Sequence, residues 1–227
     1  MKLPPRLAAV ASFVPPCKML ADIGTDHAYI PIYLVKRGIA LHAVASDIVK
    51  GPADIAAANI KKHGLHDKIS VVVGSGLDKI PQSDVIVIAG MGGKIICEIL
   101  QEGLPVARKA KCIVLQPMTA ISEVRRFLYA KSFTIYDEAI AKEGDKLYNI
   151  IAVKKGKTKV EDDLYYYIGE KLIENEDKLL GQLIQKKISA LDVAIHSLSK
   201  SNDGAKKMTE LIHLRQRFSE VYHDNCS

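Results

Sequence analysis

Five short aliphatic runs, Lys18–Gly24, Ala43–Asp47, Ile69–Gly74, Asp84–Gly90 and Lys111–Gln116, dominate the first half of the chain, and each stops at glycine, aspartate or another turn-compatible polar residue. Runs with no polar alternation need cover on both faces, so they read as buried parallel strands. Helix-length stretches Ala28–Arg37, Pro52–His63 and Lys94–Glu102 lie among them, and Ile121–Ala130 follows the fifth. Strands alternating with helices predict an α/β fold, a doubly wound sheet. Phe133–Tyr136 and Tyr148–Val153 have no helix between them and predict an antiparallel pair at one edge, which completes seven strands. Arg6–Val14 reads as a helix outside the sheet.

In such a sheet, ligands settle beyond the carboxyl ends of the strands, near the point where strand order reverses. Four of those ends read Ala21-Asp22-Ile23-Gly24-Thr25-Asp26-His27-Ala28-Tyr29, Ser46-Asp47, Gly74-Ser75-Gly76-Leu77 and Ala89-Gly90-Met91-Gly92-Gly93. Gly24 permits a tight turn under a ligand, and Asp22 and Asp26 offer acceptors to an ammonium group or hydroxyls. Asp47 ends the second strand, where an acidic side chain can accept hydrogen bonds from both ribose hydroxyls. The dinucleotide fingerprint GxGxxG is absent, because Asp26 and Tyr29 stand where glycines would face a pyrophosphate; GxxxxGK[ST] is absent as well. NAD, FAD and nucleoside triphosphates are therefore disfavoured. S-adenosylmethionine satisfies what is left, with a ribose for Asp47, an ammonium for an acidic loop, an adenine that Gly74-Ser75-Gly76-Leu77 can flank, and no phosphate.

The pattern changes across Lys154-Lys155-Gly156-Lys157-Thr158-Lys159, which places a domain boundary between residues 1–157 and 158–227. Lys and Arg exceed Asp and Glu by 8 before it and fall short by 2 after it, giving the net charge of +6, so the first part favours polyanionic partners. Past the boundary, Leu172, Leu180, Ile184, Ile188, Leu191, Ile195 and Leu198 predict one long amphipathic helix. Ser199–Gly204 interrupts it, and Met208, Leu211, Ile212, Phe218 and Val221 predict a second helix folding back as a coiled-coil-like antiparallel hairpin.

Asp22-Ile23-Gly24-Thr25-Asp26-His27-Ala28-Tyr29-Ile30-Pro31, Ser46-Asp47 with Gly51-Pro52, Ala89–Gly93, Leu115-Gln116-Pro117 and Tyr148-Asn149-Ile150-Ile151 together resemble the TrmK family of bacterial tRNA adenine-N1 methyltransferases. The resemblance implies a class I S-adenosylmethionine-dependent methyltransferase fold, Rossmann-like, with a helical C-terminal domain, and methylation of N1 of adenine 22 in the tRNA core. Ser75, where the family pattern has Asp, and Met118, where it has Asn, depart from it.

On that basis Asp22, Gly24, Thr25, His27, Asp47, Ile48, Ser75, Gly76, Leu77, Gly90 and Met91 are expected to bind the cofactor. Tyr29, Gln116 and Pro117 are expected to line the substrate pocket. Asp26 is the expected catalytic carboxylate, because the charge of the sulfonium moves onto the adenine ring and a nearby anion stabilises it. The expected partner is tRNA, with no obligate protein partner; the competing reading is a non-catalytic RNA-binding protein on the same fold, against which the retained Asp22 and Asp47 argue. Cys17, Cys97, Cys112 and Cys226 form no CxxC pair, so no metal site is expected. The longest apolar runs, Val85–Met91 and Cys112–Leu115, fall far short of the roughly 18 residues of a membrane span, and Met1–Arg6 carries no apolar leader, so a cytoplasmic protein is expected.

Overall fold

The computed structural model describes residues 1–199 and 205–226. They contain β1 (Cys17–Ile23), β2 (Ala40–Asp47), β3 (Ile69–Val73), β4 (Val85–Gly92), β5 (Cys112–Thr119), β6 (Phe133–Glu143) and β7 (Lys146–Lys155), in one sheet ordered β3-β2-β1-β4-β5-β7-β6. Strands β1 to β5 pair in parallel, and β7 runs antiparallel to both β5 and β6. Strand order reverses between β1 and β4, which fixes where a crevice opens.

Alternate residues of the central strands enter two separate cores. Leu20, Val85, Val87 and Val114 pack with α1 (Pro5–Ser12), α2 (Tyr29–Lys36) and α3 (Lys50–Lys62), through residues such as Val10, Ile32, Leu34 and Ile60. Ala21, Ile86, Ile88, Ile113 and Leu115 pack on the other face with α4 (Gly93–Glu102), α5 (Leu104–Ala107) and α6 (Ile121–Ala130), through Ile96, Leu100, Ala107, Val124 and Leu128. Each such side chain contributes about 1.5–3 kcal/mol on burial, so neither face of the sheet can be left uncovered.

The edge hairpin is longer than its apolar runs suggest. Register continues outward to Glu143↔Lys146, closed by Gly144 at φ 58° and Asp145, through charged positions that read as loop in the sequence. Between the two strands and α6 lies a fully buried ion pair, Arg125 Nε to Glu138 Oε1 at 2.8 Å, with Arg125 Nη2 also donating to Asn149 Oδ1 at 3.1 Å.

The chain divides into two compact units, Met1–Val160 and Glu161–Ser227. In the second, the expected continuous helix through Leu172 is broken into α7 (Leu164–Ile168), α8 (Glu170–Glu174) and α9 (Leu180–Leu198), followed by α10 (Ala205–Cys226). Gly169 at φ 96° and Glu176 at φ 49° turn the backbone out of the helix, and Asp177 Oδ1 accepts the Leu179 N–H at 2.8 Å. A side-chain acceptor competing for backbone donors outweighs apolar periodicity here. Gln185 hydrogen-bonds Tyr222 and Asp192 pairs with Arg215, so seven residues forward on α9 match seven backward on α10, the mark of an antiparallel pair. Of the expected break at Ser199–Gly204, residues 200–204 lie outside the described residues.

Candidate functional site

The turn after β1 is built around one glycine. Gly24 takes φ 72°, and its N–H and that of Thr25 both donate to the Ser46 carbonyl of β2, at 2.7 and 2.9 Å. A Cβ at position 24 would collide with Met91 Cε, so the methionine from β4 lies directly on this backbone. Only glycine meets both demands.

Asp22, on the strand just before, is buried. Burial pushes its carboxyl up to about 7, and a hydrogen bond from Thr25 only partly offsets it. Thr25 Oγ1 in turn accepts the Ala28 N–H at 3.0 Å, which steadies the left-handed entry to α2 (Ala28 φ 53°). An acid held this way has a high affinity for a proton or for a cation that replaces it.

Two clefts flank Gly24. The first, of about 270 Å³, is lined by Asp47 and Ile48 at the end of β2, by Gly74, Ser75 and Gly76 after β3, and by Met91. Asp47 Oδ1 accepts the Val49 N–H at 2.8 Å, which leaves Oδ2 without a protein donor. Ile48 is exposed, and Ser46 Oγ in the same cleft is buried without a hydrogen-bond partner. The opposite wall is a stripe of α4, Ile95, Glu98, Ile99 and Glu102. Its i, i+3, i+4, i+7 spacing was legible as one helix face, but not which side it presents. Leu77 turns inward under Gly103 and lines neither this cleft nor the next.

The second cleft, of about 340 Å³, holds Asp22, Thr25, Asp26, His27, Tyr29 and Gly90, and is closed by Pro4, Arg6 and Leu7 around the start of α1. Asp26 Oδ2 lies 3.2 Å from His27 Nε2, with both side chains partly exposed. The His27 ring stacks on Tyr29 at 5.0 Å between centroids and 16° between planes, while Asn59 Nδ2 donates to the His27 carbonyl at 3.0 Å. The loop therefore offers an exposed carboxylate beside a flat aromatic shelf.

Gln116 and Pro117 are buried on β5 and line neither cleft. They meet the site through neighbours: Pro117 pairs with Met91 in register, and Gln116 Oε1 accepts from Arg6 Nη1 at 2.7 Å. Gln116 Nε2 donates to the Pro117 carbonyl at 3.1 Å. Arg6 and the α4 stripe are the two features of the site absent from the sequence reading.

A profile of the TrmK family, described as tRNA (adenine(22)-N(1))-methyltransferase, matches residues 20–219. The tRNA (adenine(22)-N(1))-methyltransferase of Bacillus subtilis strain 168 is 38% identical over 158 residues, 69% of this chain and 66% of that protein, just under two thirds of its length. Solved structures match almost end to end. Streptococcus pneumoniae Sp1610 in complex with S-adenosyl-L-methionine superposes with a TM-score of 0.88 at 34% identity, over 97% of this chain and 99% of that one. M. capricolum TrmK, bound to S-adenosyl-homocysteine, gives 0.86 at 28% identity over 97% and 99%.

Proposed function

The chain belongs to the TrmK family and is an S-adenosylmethionine-dependent tRNA (adenine(22)-N(1))-methyltransferase; on that premise we propose how its two clefts divide the work. The observation that carries the proposal is their meeting over Gly24, where Met91 presses on the backbone between a ribose-competent acid, Asp47, and an ammonium-competent acid, Asp22. The first cleft takes the nucleoside of the cofactor. Asp47 Oδ2 and the unpartnered Ser46 hydroxyl supply polar contacts there, and Ile48 with Ser75, Gly76 and the α4 stripe supplies walls for a purine. The second cleft takes the amino-acid end against Asp22, Gly24, Thr25 and Gly90, and the acceptor base at its mouth.

When bound, S-adenosylmethionine supplies a methyl sulfonium: N1 of adenine attacks the methyl carbon in line, the C–S electrons return to sulfur, and the positive charge passes to the ring. The chain needs no strong base for this, since the N1 lone pair is already available; its residues position and neutralise. Asp26 places a carboxylate where that charge develops and favours the product-like transition state. His27 holds Asp26 from one side and stacks on Tyr29, whose exposed face receives the extruded base. Gln116 and Pro117 keep the β4 and β5 exits, and thus Met91, in register beneath it.

We assign residues 1–160 to cofactor binding and catalysis and the helices beyond to gripping tRNA, with the enzyme acting in the cytoplasm. No described helix is long and apolar enough to cross a membrane. The deciding experiment is single-turnover methylation of unmodified tRNA transcripts with adenine or guanine at position 22, read as a primer-extension stop. Product only on the adenine transcript is expected. A stop at another nucleotide, or equal product on both, would overturn the assignment.

A further inference from the structure

The two clefts are strongly acidic. Asp22, Asp26, Asp47, Glu98 and Glu102 line them, and among all their lining residues there is a single lysine or arginine, Arg6. Its place is well defined. The Arg6 backbone N–H donates to Glu143 Oε2 at 3.2 Å, which pins the first turn of α1 to the end of β6, and the guanidinium lies 5.5 Å from the centroid of the Tyr148 ring. Nη1 is 2.7 Å from Gln116 Oε1, and the same nitrogen would stand 3.5 Å from a Cβ at Gly90. Nε and Nη2 have no hydrogen-bond partner in the protein. A side chain tied at the backbone, at one nitrogen and at its flat face, yet with two donors unused beside a cleft, is pre-organised for an anion.

The reading of the clefts as a cofactor site leaves one anionic group on the ligand to be matched. The sulfonium and ammonium of S-adenosylmethionine suit the surrounding carboxylates, whereas its own carboxylate would be repelled by every charged lining side chain except this one. We propose that Arg6 clamps the cofactor carboxylate with its two unused donors, so that α1 and Gln116 set the direction in which the cofactor lies across Gly24. This inference rests on the cofactor reading and adds a residue to it. It also explains why α1 closes the second cleft: without it the amino-acid end would meet acids alone.

The test compares two ligands on the full chain by calorimetry, S-adenosylhomocysteine and its decarboxylated form, which keeps the ammonium and the nucleoside. The wild type should prefer the carboxylate-bearing ligand by tenfold or more, as for hydrogen bonds between charged groups. Arg6→Met should lose most of that preference, its affinity for the decarboxylated ligand staying within about twofold of wild type. Arg6→Lys should restore part of the preference, since it keeps the charge but not the fork. Equal losses for both ligands in Arg6→Met would reduce Arg6 to a support for Gln116 and overturn the clamp. Unchanged cofactor binding with weakened tRNA binding would overturn it too, by turning the guanidinium toward a phosphate. If the wild type bound neither ligand, the cofactor reading would fall and the clamp with it, a result distinct from either of these.

Discussion

Asp22 makes cofactor binding and proton release a single event. Its carboxyl sits at about 7 because burial penalises the charge, with only Thr25 in partial compensation. A ligand ammonium demands the ionised form, so at pH 6 about one molecule in ten is ready to bind and at pH 8 about nine in ten, which predicts affinity about tenfold lower at pH 6. Calorimetry with S-adenosylhomocysteine in buffers of different ionisation enthalpy should count about 0.9 protons released per ligand at pH 6 and about 0.5 at pH 7. The sign for stability is opposite. The folded-state value lies above the unfolded 3.8, so this group stabilises the unliganded protein fully below about 3.8 and loses that contribution as pH rises through 7. Asp22→Asn should therefore raise the melting temperature of the unliganded protein at pH 8 while weakening the ligand and flattening its pH dependence. Affinity equal at pH 6 and 8, or the same pH slope in Asp22→Asn, would refute the role of this carboxyl.

Three further perturbations separate the parts of the site. Asp47→Ala should weaken S-adenosylhomocysteine by about 1.5–3 kcal/mol for each charge-assisted ribose bond lost, measured calorimetrically; wild-type affinity would move the ribose elsewhere. A chain ended after Val160 should keep that affinity and lose most tRNA methylation, and undiminished methylation would confine the helices beyond to another role. Asp26→Asn should leave cofactor and tRNA affinity in place and slow single-turnover transfer by about 10²-fold, as for removal of one pre-organised charge; an unchanged rate would exclude it from the transition state.

What the sequence disclosed divides along a physical line. Val85–Ile88 and Ile113–Leu115 are buried on both faces of the sheet, and such runs announce themselves locally. The same holds for Gly24, Asp26 and Asp47, which sit at strand exits where the turn and the ligand are set by neighbouring residues. The outer half of β6 and β7 was silent because an edge hairpin carries charged residues such as Lys142 and Glu143 without penalty. The start of α9 was misread because Asp177 engages backbone donors that a periodicity of apolar residues does not register.

Arg6 marks the limit most sharply. In Leu3-Pro4-Pro5-Arg6-Leu7-Ala8 it is one charge at the head of an amphipathic helix, for which solvent is the natural destination. Its partner Gln116 is 110 residues away, on a strand that reaches it only because the sheet places β5 two positions from β1. Local patterning therefore reveals the acids that each strand carries to the crevice, while the cation that offsets them becomes visible only when the sheet is closed. In folds of this kind a cleft whose motif residues are all acidic points to a counter-charge outside the motifs, and the segment that covers the crevice from before the first strand is the place to look for it.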